Sequence, residues 1–277
     1  MSDIPTIKFN DGHTIPQLGL GVWKTPADET EKVVSTAFEL GYRHIDTAAI
    51  YGNEEGVGRA IAASGIARDQ LFITTKLWNE DQGYDSTLKA FELSLKKLGL
   101  DYVNLYLIHW PQPQADRYLD TWKAFQHLKE QGAIRSIGVS NFREEDLDNL
   151  IAKSGETPVA NQIEVHPLLQ QDALRAYNKK HDIVTEAWSP LAQGGELLKN
   201  EVLQKIAQKH GKSAAQVVLR WHIELGNVIF PKSVTPNRIK ENADIFDFSL
   251  DSDDLKAIAG LNENKRLGPD PSTFSSL

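Results

Sequence analysis

The sequence predicts an α/β fold, a (β/α)8 TIM barrel, on three observations. Short apolar strands alternate with helical patterns from Leu18 onward, which favours a parallel sheet. Polar or aromatic groups close, or nearly close, the apolar segments: Asp46, Lys76, His109, Asn141, Gln162, Trp188 and Lys232. They follow one another at 21 to 33 residues, about one βα unit each, apart from an interval of 44 before Lys232 with room for an additional helix. A closed barrel of roughly 250 residues brings all such strand ends to one face, where the active sites of this architecture lie.

In chain order, residues 6–9 and 13–15 flank Asn10-Asp11-Gly12, and Asp-Gly supplies the positive φ of a tight turn. An amino-terminal β-hairpin therefore precedes the barrel. Helical periodicity marks residues 30–40, 54–63, 87–98, 119–130, 144–152, 170–180, 201–208 and 214–225. Ser213-Ala214-Ala215-Gln216 has capping-box spacing, and Thr235-Pro236 offers an N-cap followed by proline at the first helical position. Residues 264–277, rich in Gly, Pro and Ser, read as a loop across the barrel. No linker divides the chain, so residues 1–277 read as one domain.

With 277 residues and 40% hydrophobic content, the chain can bury a large core. Cysteine is absent, which excludes disulfides, thiolate metal sites and a cysteine nucleophile, and a cytoplasmic setting is the simplest fit. Met1-Ser2-Asp3-Ile4-Pro5 lacks the pattern of a signal peptide, and no stretch approaches the ~20 apolar residues of a membrane span. The net charge is −8 with basic residues dispersed, which argues against a nucleic-acid partner. An anionic ligand would need a local basic pocket.

The densest chemistry lies at the strand ends. Tyr51, in the turn after Asp46, has an ordinary pKa of about 10, and to protonate a developing alkoxide near neutral pH it benefits from a nearby cation. Lys76 is that cation, Asp46 can hold it charged, and His109 can direct a substrate oxygen toward Tyr51. Trp78 and Trp110, just beyond two of these ends, suggest a substrate wall.

Three ordered motifs, covering nearly the whole chain, resemble the signatures of the aldo-keto reductase superfamily: residues 41–55, residues 132–142, and Ile229-Phe230-Pro231-Lys232-Ser233 with Arg238-Ile239-Lys240-Glu241-Asn242. Within it, residues 46–58 most resemble bacterial 2,5-diketo-D-gluconate reductases. The resemblance implies a catalytic set of Asp46, Tyr51, Lys76 and His109, with Tyr51 as general acid in NADPH-dependent carbonyl reduction, and hydride transfer that needs no metal. It implies that Ser140, Asn141 and Gln162 hold the cofactor's carboxamide and that Trp188, where many members carry tyrosine, stacks on its ring. It places the pyrophosphate under a loop containing Ser189, Pro190, Leu191, Gln193 and Gly194. Lys232, Ser233 and Arg238 then surround the 2′-phosphate, Val234 also contacts the cofactor, and Glu241 and Asn242 meet adenine. Two cations beside a dianion favour NADPH over NADH. The glycines of residues 52–58 lack the Rossmann fingerprint and read as turn and packing positions.

Val22, Trp23, Trp78, His109 and Trp110 would line the substrate cleft, left open by short loops and accepting small aldehydes, dicarbonyls such as methylglyoxal, or keto-sugar acids. The chain reads as a monomer. Two other classes compete: a metal-dependent hydrolase using His109, His166 and Asp46, which lacks any His-x-His or HExxH spacing, and a non-catalytic NADPH-binding redox sensor.

Overall fold

The computed structural model describes residues 4–276; Met1, Ser2, Asp3 and Leu277, which the leader and tail readings include, lie outside the described residues. Strands β1 (Thr6–Lys8) and β2 (Thr14–Pro16) form the expected antiparallel hairpin. Its turn closes with Gly12 N–H donating to Phe9 O, and of the Asp-Gly pair only Gly12, at φ 93°, uses a positive φ.

Eight strands follow: β3 (Leu20–Gly21), β4 (His44–Asp46), β5 (Phe72–Leu77), β6 (Val103–Ile108), β7 (Ile134–Ser140), β8 (Ala160–Glu164), β9 (Val184–Trp188) and β10 (Val228–Ile229). Each pairs with its sequence neighbour, all parallel. Parallel bridges between Leu18 and Ile229 and between Gly21 and Lys232 close the ring into a barrel.

Around it run α1 (Ala27–Glu39), α2 (Glu54–Ala63), α3 (Tyr84–Leu98), α4 (Tyr118–Glu130), α5 (Glu144–Ser154), α6 (Asp172–Lys180), α7 (Glu201–His210), α8 (Ala214–Glu224), α9 (Pro236–Ala243) and α10 (Ser252–Ala259). The 44-residue interval holds α7 and α8. Ser213 and Gln216 form the expected capping box on α8, and Pro236 takes the first position of α9. α10 escaped the periodicity because it is a single short segment; Asp251 caps it, accepting from the backbone N–H of Asp253 and Asp254. α1 and α3 begin three residues before the periodic pattern, since their first turns hold polar or exposed residues that periodicity does not register. No helix among the described residues is long and apolar enough to cross a membrane.

Strand side chains alternate between two environments. Those facing outward join the helices in one large core that includes Ile45, Ile73, Tyr106, Ile108, Val139 and Ile163. Those facing inward form a second, smaller core of Phe72, Leu105, Leu107, Ala160, Val228 and Phe230, which the hairpin's Phe9 and Ile15 plug from below. Above that apolar floor the inward positions turn polar, and this layer carries the site.

Candidate active site

β4 ends in Asp46, β5 carries Lys76 one residue before its end, and a single 3-10 turn (Ala49–Tyr51) brings Tyr51 over both. The fully buried Lys76 donates from Nζ to Asp46 Oδ1 at 2.6 Å and to Thr47 O at 2.8 Å, and lies 3.4 Å from the Tyr51 hydroxyl. Burial alone would lower the Lys76 pKa, but Asp46 and Tyr51 outweigh it and hold the ammonium above its ordinary range. For Tyr51 the balance runs the other way from the sequence expectation. Burial raises its pKa, Lys76 pulls it down, Asp46 pushes back, and the net shift is upward. The phenol therefore keeps its proton, as an acid must.

His109 follows β6 and donates its backbone N–H to Leu77 O at 3.2 Å. Its ring stands edge-on to Tyr51 and Trp78, with centroids 5.9 and 5.3 Å away. Burial, helped by the Lys76 charge, holds its pKa well below the ordinary value, so the imidazole is neutral. Nδ1 is buried without a partner, which leaves Nε2 as the nitrogen toward the cleft.

Beside this cluster stand Ser140, Asn141, Gln162 and Trp188. Ser140 Oγ donates to Gln162 O at 2.8 Å, and Asn141 Nδ2 donates to His109 O at 3.0 Å and to Ser140 Oγ at 3.1 Å. Asn141, at φ 63°, is turned so that its Oδ1 accepts the Trp188 indole N–H at 2.8 Å. Trp188 therefore has a polar anchor, as a part-buried indole requires. Gln162 donates both amide hydrogens, to Asp46 Oδ2 at 2.9 Å and to Glu186 Oε2 at 2.8 Å.

The loop after β9 carries Ser189, Ala192, Gln193 and Gly194 at φ between 48° and 78°. His222 of α8 supports its base through Nε2 and Pro190 O, 3.1 Å apart. Lys232, Val234 and Arg238 are exposed beside the start of α9, and among the described residues neither cation makes an ion pair. Unpaired cations at a helix amino terminus suit a phosphate ester. Ser233 is buried, its Oγ accepting the Thr235 N–H, Glu241 is engaged by the Ser213 hydroxyl, and Asn242 is buried.

The cleft departs from expectation in two respects. Val22, the residue after β3, is fully buried in the outer core and has no surface left to line the cleft. The cleft is also less open than short loops imply: the tail crosses it, Phe274 packs on Trp110 with ring centroids 4.5 Å apart, and Trp110 is buried as a result. Gln112 donates to Phe274 O, Gln114 to Ser272 O and Asn79 to Ser276 Oγ, so the tail is tied down. Trp23 remains exposed.

The tail is also anchored by Glu164, at the end of β8, which accepts the Leu267 and Gly268 N–H groups. A Cβ on Gly268 would fall 2.3 Å from Trp188 Cη2, so only glycine lets the tail lie this close. His166, the third ligand of the hydrolase reading, is committed to Glu164 at 2.9 Å. No three His, Asp or Glu side chains among the described residues stand where they could hold a metal ion. The glycines of 52–58 serve geometry, as expected: a Cβ on Gly58 would meet Leu98 O at 2.5 Å.

Sequence reasoning missed Glu164, Glu186, His222 and Phe274. For Glu186 a signal existed: two residues before Trp188 in one strand, it must share the inward face.

The aldo/keto reductase family model matches residues 16–263. The chain belongs to the aldo-keto reductase family. This aldo-keto reductase is 57% identical over 273 residues to a methylglyoxal reductase, DkgA, of Yersinia pestis, covering 98% of each chain. Among solved structures it resembles an aldo/keto reductase from Brucella melitensis, with 63% identity, a TM-score of 0.92, and coverage of 95% of this chain and 99% of that one. It also resembles a Gox0644 mutant in complex with NADPH, with 50% identity, a TM-score of 0.95, and coverage of 99% and 100%. The family match takes in every candidate residue from Val22 to Asn242 and stops short of the reductase's tail.

Proposed function

We propose that this chain is an NADPH-dependent carbonyl reductase in which Tyr51 protonates the substrate oxygen. The observation that carries the reading is the fully buried Lys76, with Asp46 Oδ1 at 2.6 Å on one side and the Tyr51 hydroxyl at 3.4 Å on the other. Bound NADPH would supply the hydride for the carbonyl carbon. As negative charge builds on the carbonyl oxygen, Tyr51 gives up its proton, and Lys76 stabilises the tyrosinate that burial would otherwise disfavour. Neutral His109 donates from Nε2 and orients that oxygen. Asp46 keeps Lys76 charged and placed. Ser140, Asn141 and Gln162 serve the carboxamide, Trp188 its ring, and the loop of Ser189, Pro190, Leu191, Gln193 and Gly194 the pyrophosphate. Lys232, Ser233 and Arg238 serve the 2′-phosphate, Val234 the cofactor beside them, and Glu241 and Asn242 the adenine.

The substrate class follows from the cleft and the relatives. Aromatic walls at Trp23, Trp78 and Trp110 beneath a crossing tail suit small aldehydes and dicarbonyls, and a relative named for methylglyoxal supports that class. Keto-sugar acids such as 2,5-diketo-D-gluconate are a narrower proposal, resting on residues 46–58. We place the protein in the cytoplasm as a monomer of one domain.

The test is loss of NADPH absorbance with methylglyoxal, an aromatic aldehyde and 2,5-diketo-D-gluconate, run beside NADH and beside Tyr51→Phe. Turnover favouring NADPH is expected, and Tyr51→Phe should lose about 10²- to 10⁴-fold in kcat while still binding cofactor. Unchanged turnover in that variant would sink the mechanism. NADPH binding without turnover of any carbonyl would favour the redox-sensor reading.

A further inference from the structure

Besides Glu164, which anchors the tail, the inward layer contains an acid that the mechanism above does not use. Glu186 sits mid-strand in β9, fully buried, on the same face as Trp188. Its Oε2 accepts one Gln162 amide hydrogen, Asp46 Oδ2 accepts the other, and its Oε1 is buried without a partner. A row therefore runs Lys76, Asp46, Gln162, Glu186, with the Gln162 amide nitrogen clamped between two carboxyl groups.

The clamp decides which way Gln162 faces. Were the amide turned over, its oxygen would confront the Lys76-paired Asp46 carboxylate, which can only accept, so the nitrogen points inward and the oxygen outward. Among the three side chains read as the carboxamide site, Ser140 Oγ already accepts from Asn141 and Asn141 Oδ1 from Trp188, whereas Gln162 Oε1 accepts from no group among the described residues. We propose that Glu186 is a positioning residue for the nicotinamide: with Asp46 it takes both amide hydrogens of Gln162 and leaves that amide's oxygen free to accept from the cofactor's carboxamide. This rests on the reading of Ser140, Asn141 and Gln162 given above.

The clamp also makes cofactor binding sensitive to pH. Burial, with the Asp46 charge adding to it, pushes the Glu186 carboxyl up to about 8 against the pull of Gln162 and Lys76. Asp46 from β4, Lys76 from β5 and Gln162 from β8 face it, Tyr51 stands beyond Lys76, and β10 brings only Val228 into register with it. Below that value Glu186 is neutral. A neutral dihydronicotinamide stacked on Trp188 excludes solvent above this layer and brings no counter-charge, which favours the neutral acid, so NADPH affinity falls as pH rises past 8. The oxidised ring is cationic and favours the ionised acid. NADP+ affinity therefore holds or improves over the same range.

The experiment is titration of purified protein with NADPH and with NADP+, followed by tryptophan fluorescence, from well below to well above pH 8. Wild type is expected to show an alkaline loss of affinity for NADPH and none for NADP+. Glu186→Gln keeps an acceptor for Gln162 and should bind both forms near wild-type strength at neutral pH, with the alkaline loss gone. Glu186→Leu releases one amide hydrogen and should weaken NADPH roughly tenfold. An alkaline loss that persists in Glu186→Gln, or no such loss in wild type, overturns the proposal even if the leucine variant does not fold. Gln162→Leu separates the two readings. If it binds NADPH as wild type does, the carboxamide assignment fails; if it weakens binding while both Glu186 variants match wild type throughout, only the role of Glu186 fails.

Discussion

At the residue scale the site depends on one lysine kept charged where no water reaches it. Removing one partner of a buried pair leaves the other charge uncompensated, at about 3–5 kcal/mol. Lys76→Met should therefore lower stability by about that amount through the stranded Asp46 carboxylate, and should reduce kcat along with it. Chemical denaturation and turnover on the same preparation check this, and a variant as stable and active as wild type would remove the ion pair from the mechanism. The four catalytic candidates were legible because each lies at the end of its own strand or in the turn after it. The acid state of Tyr51 was not. Its pKa balances burial against two charges, and the depth of burial appears in no local pattern.

At the element scale the tail is the part of the site that is least local. Residues 264–276 have no regular period, yet Glu164, Gln112, Gln114 and Asn79 hold them across the mouth, and Phe274 closes over Trp110. An aromatic pair contributes about 0.5–1.5 kcal/mol beyond its buried area, so Phe274→Ala should raise KM for an aromatic aldehyde about two- to tenfold with little change in kcat. Steady-state kinetics decide it. A fall in kcat at unchanged KM would mean that the tail orders the catalytic groups instead of the substrate. The tail's course as a crossing loop was legible from composition, but its anchors lie more than a hundred residues away in sequence, and no motif connects them.

At the scale of the whole molecule, stability and chemistry occupy opposite ends of the barrel. Phe9 and Ile15 meet Phe72 and Val228, the first residues of β5 and β10, whereas Asp46, Lys76, His109 and Ser140 stand at the other ends of their strands. Ile15→Ala should cost about 2–5 kcal/mol, as large-to-small core changes do, and leave kcat/KM per folded molecule unchanged. Thermal unfolding and kinetics at a temperature where the variant is folded test the separation, and a parallel loss of kcat/KM would show that the plug supports the site.

The barrel itself, the hairpin and the strand-end chemistry followed from periodicity and spacing, because a parallel βα repeat permits few arrangements of its strand ends. Three things waited for the folded chain: Val22 turned into the outer core, the tail laid over the cleft, and Glu186 set against Gln162 and Asp46. Each is a matter of distance between strands or loops far apart in sequence. Closing the ring sets those distances, and with them burial, charge and hydrogen-bond direction.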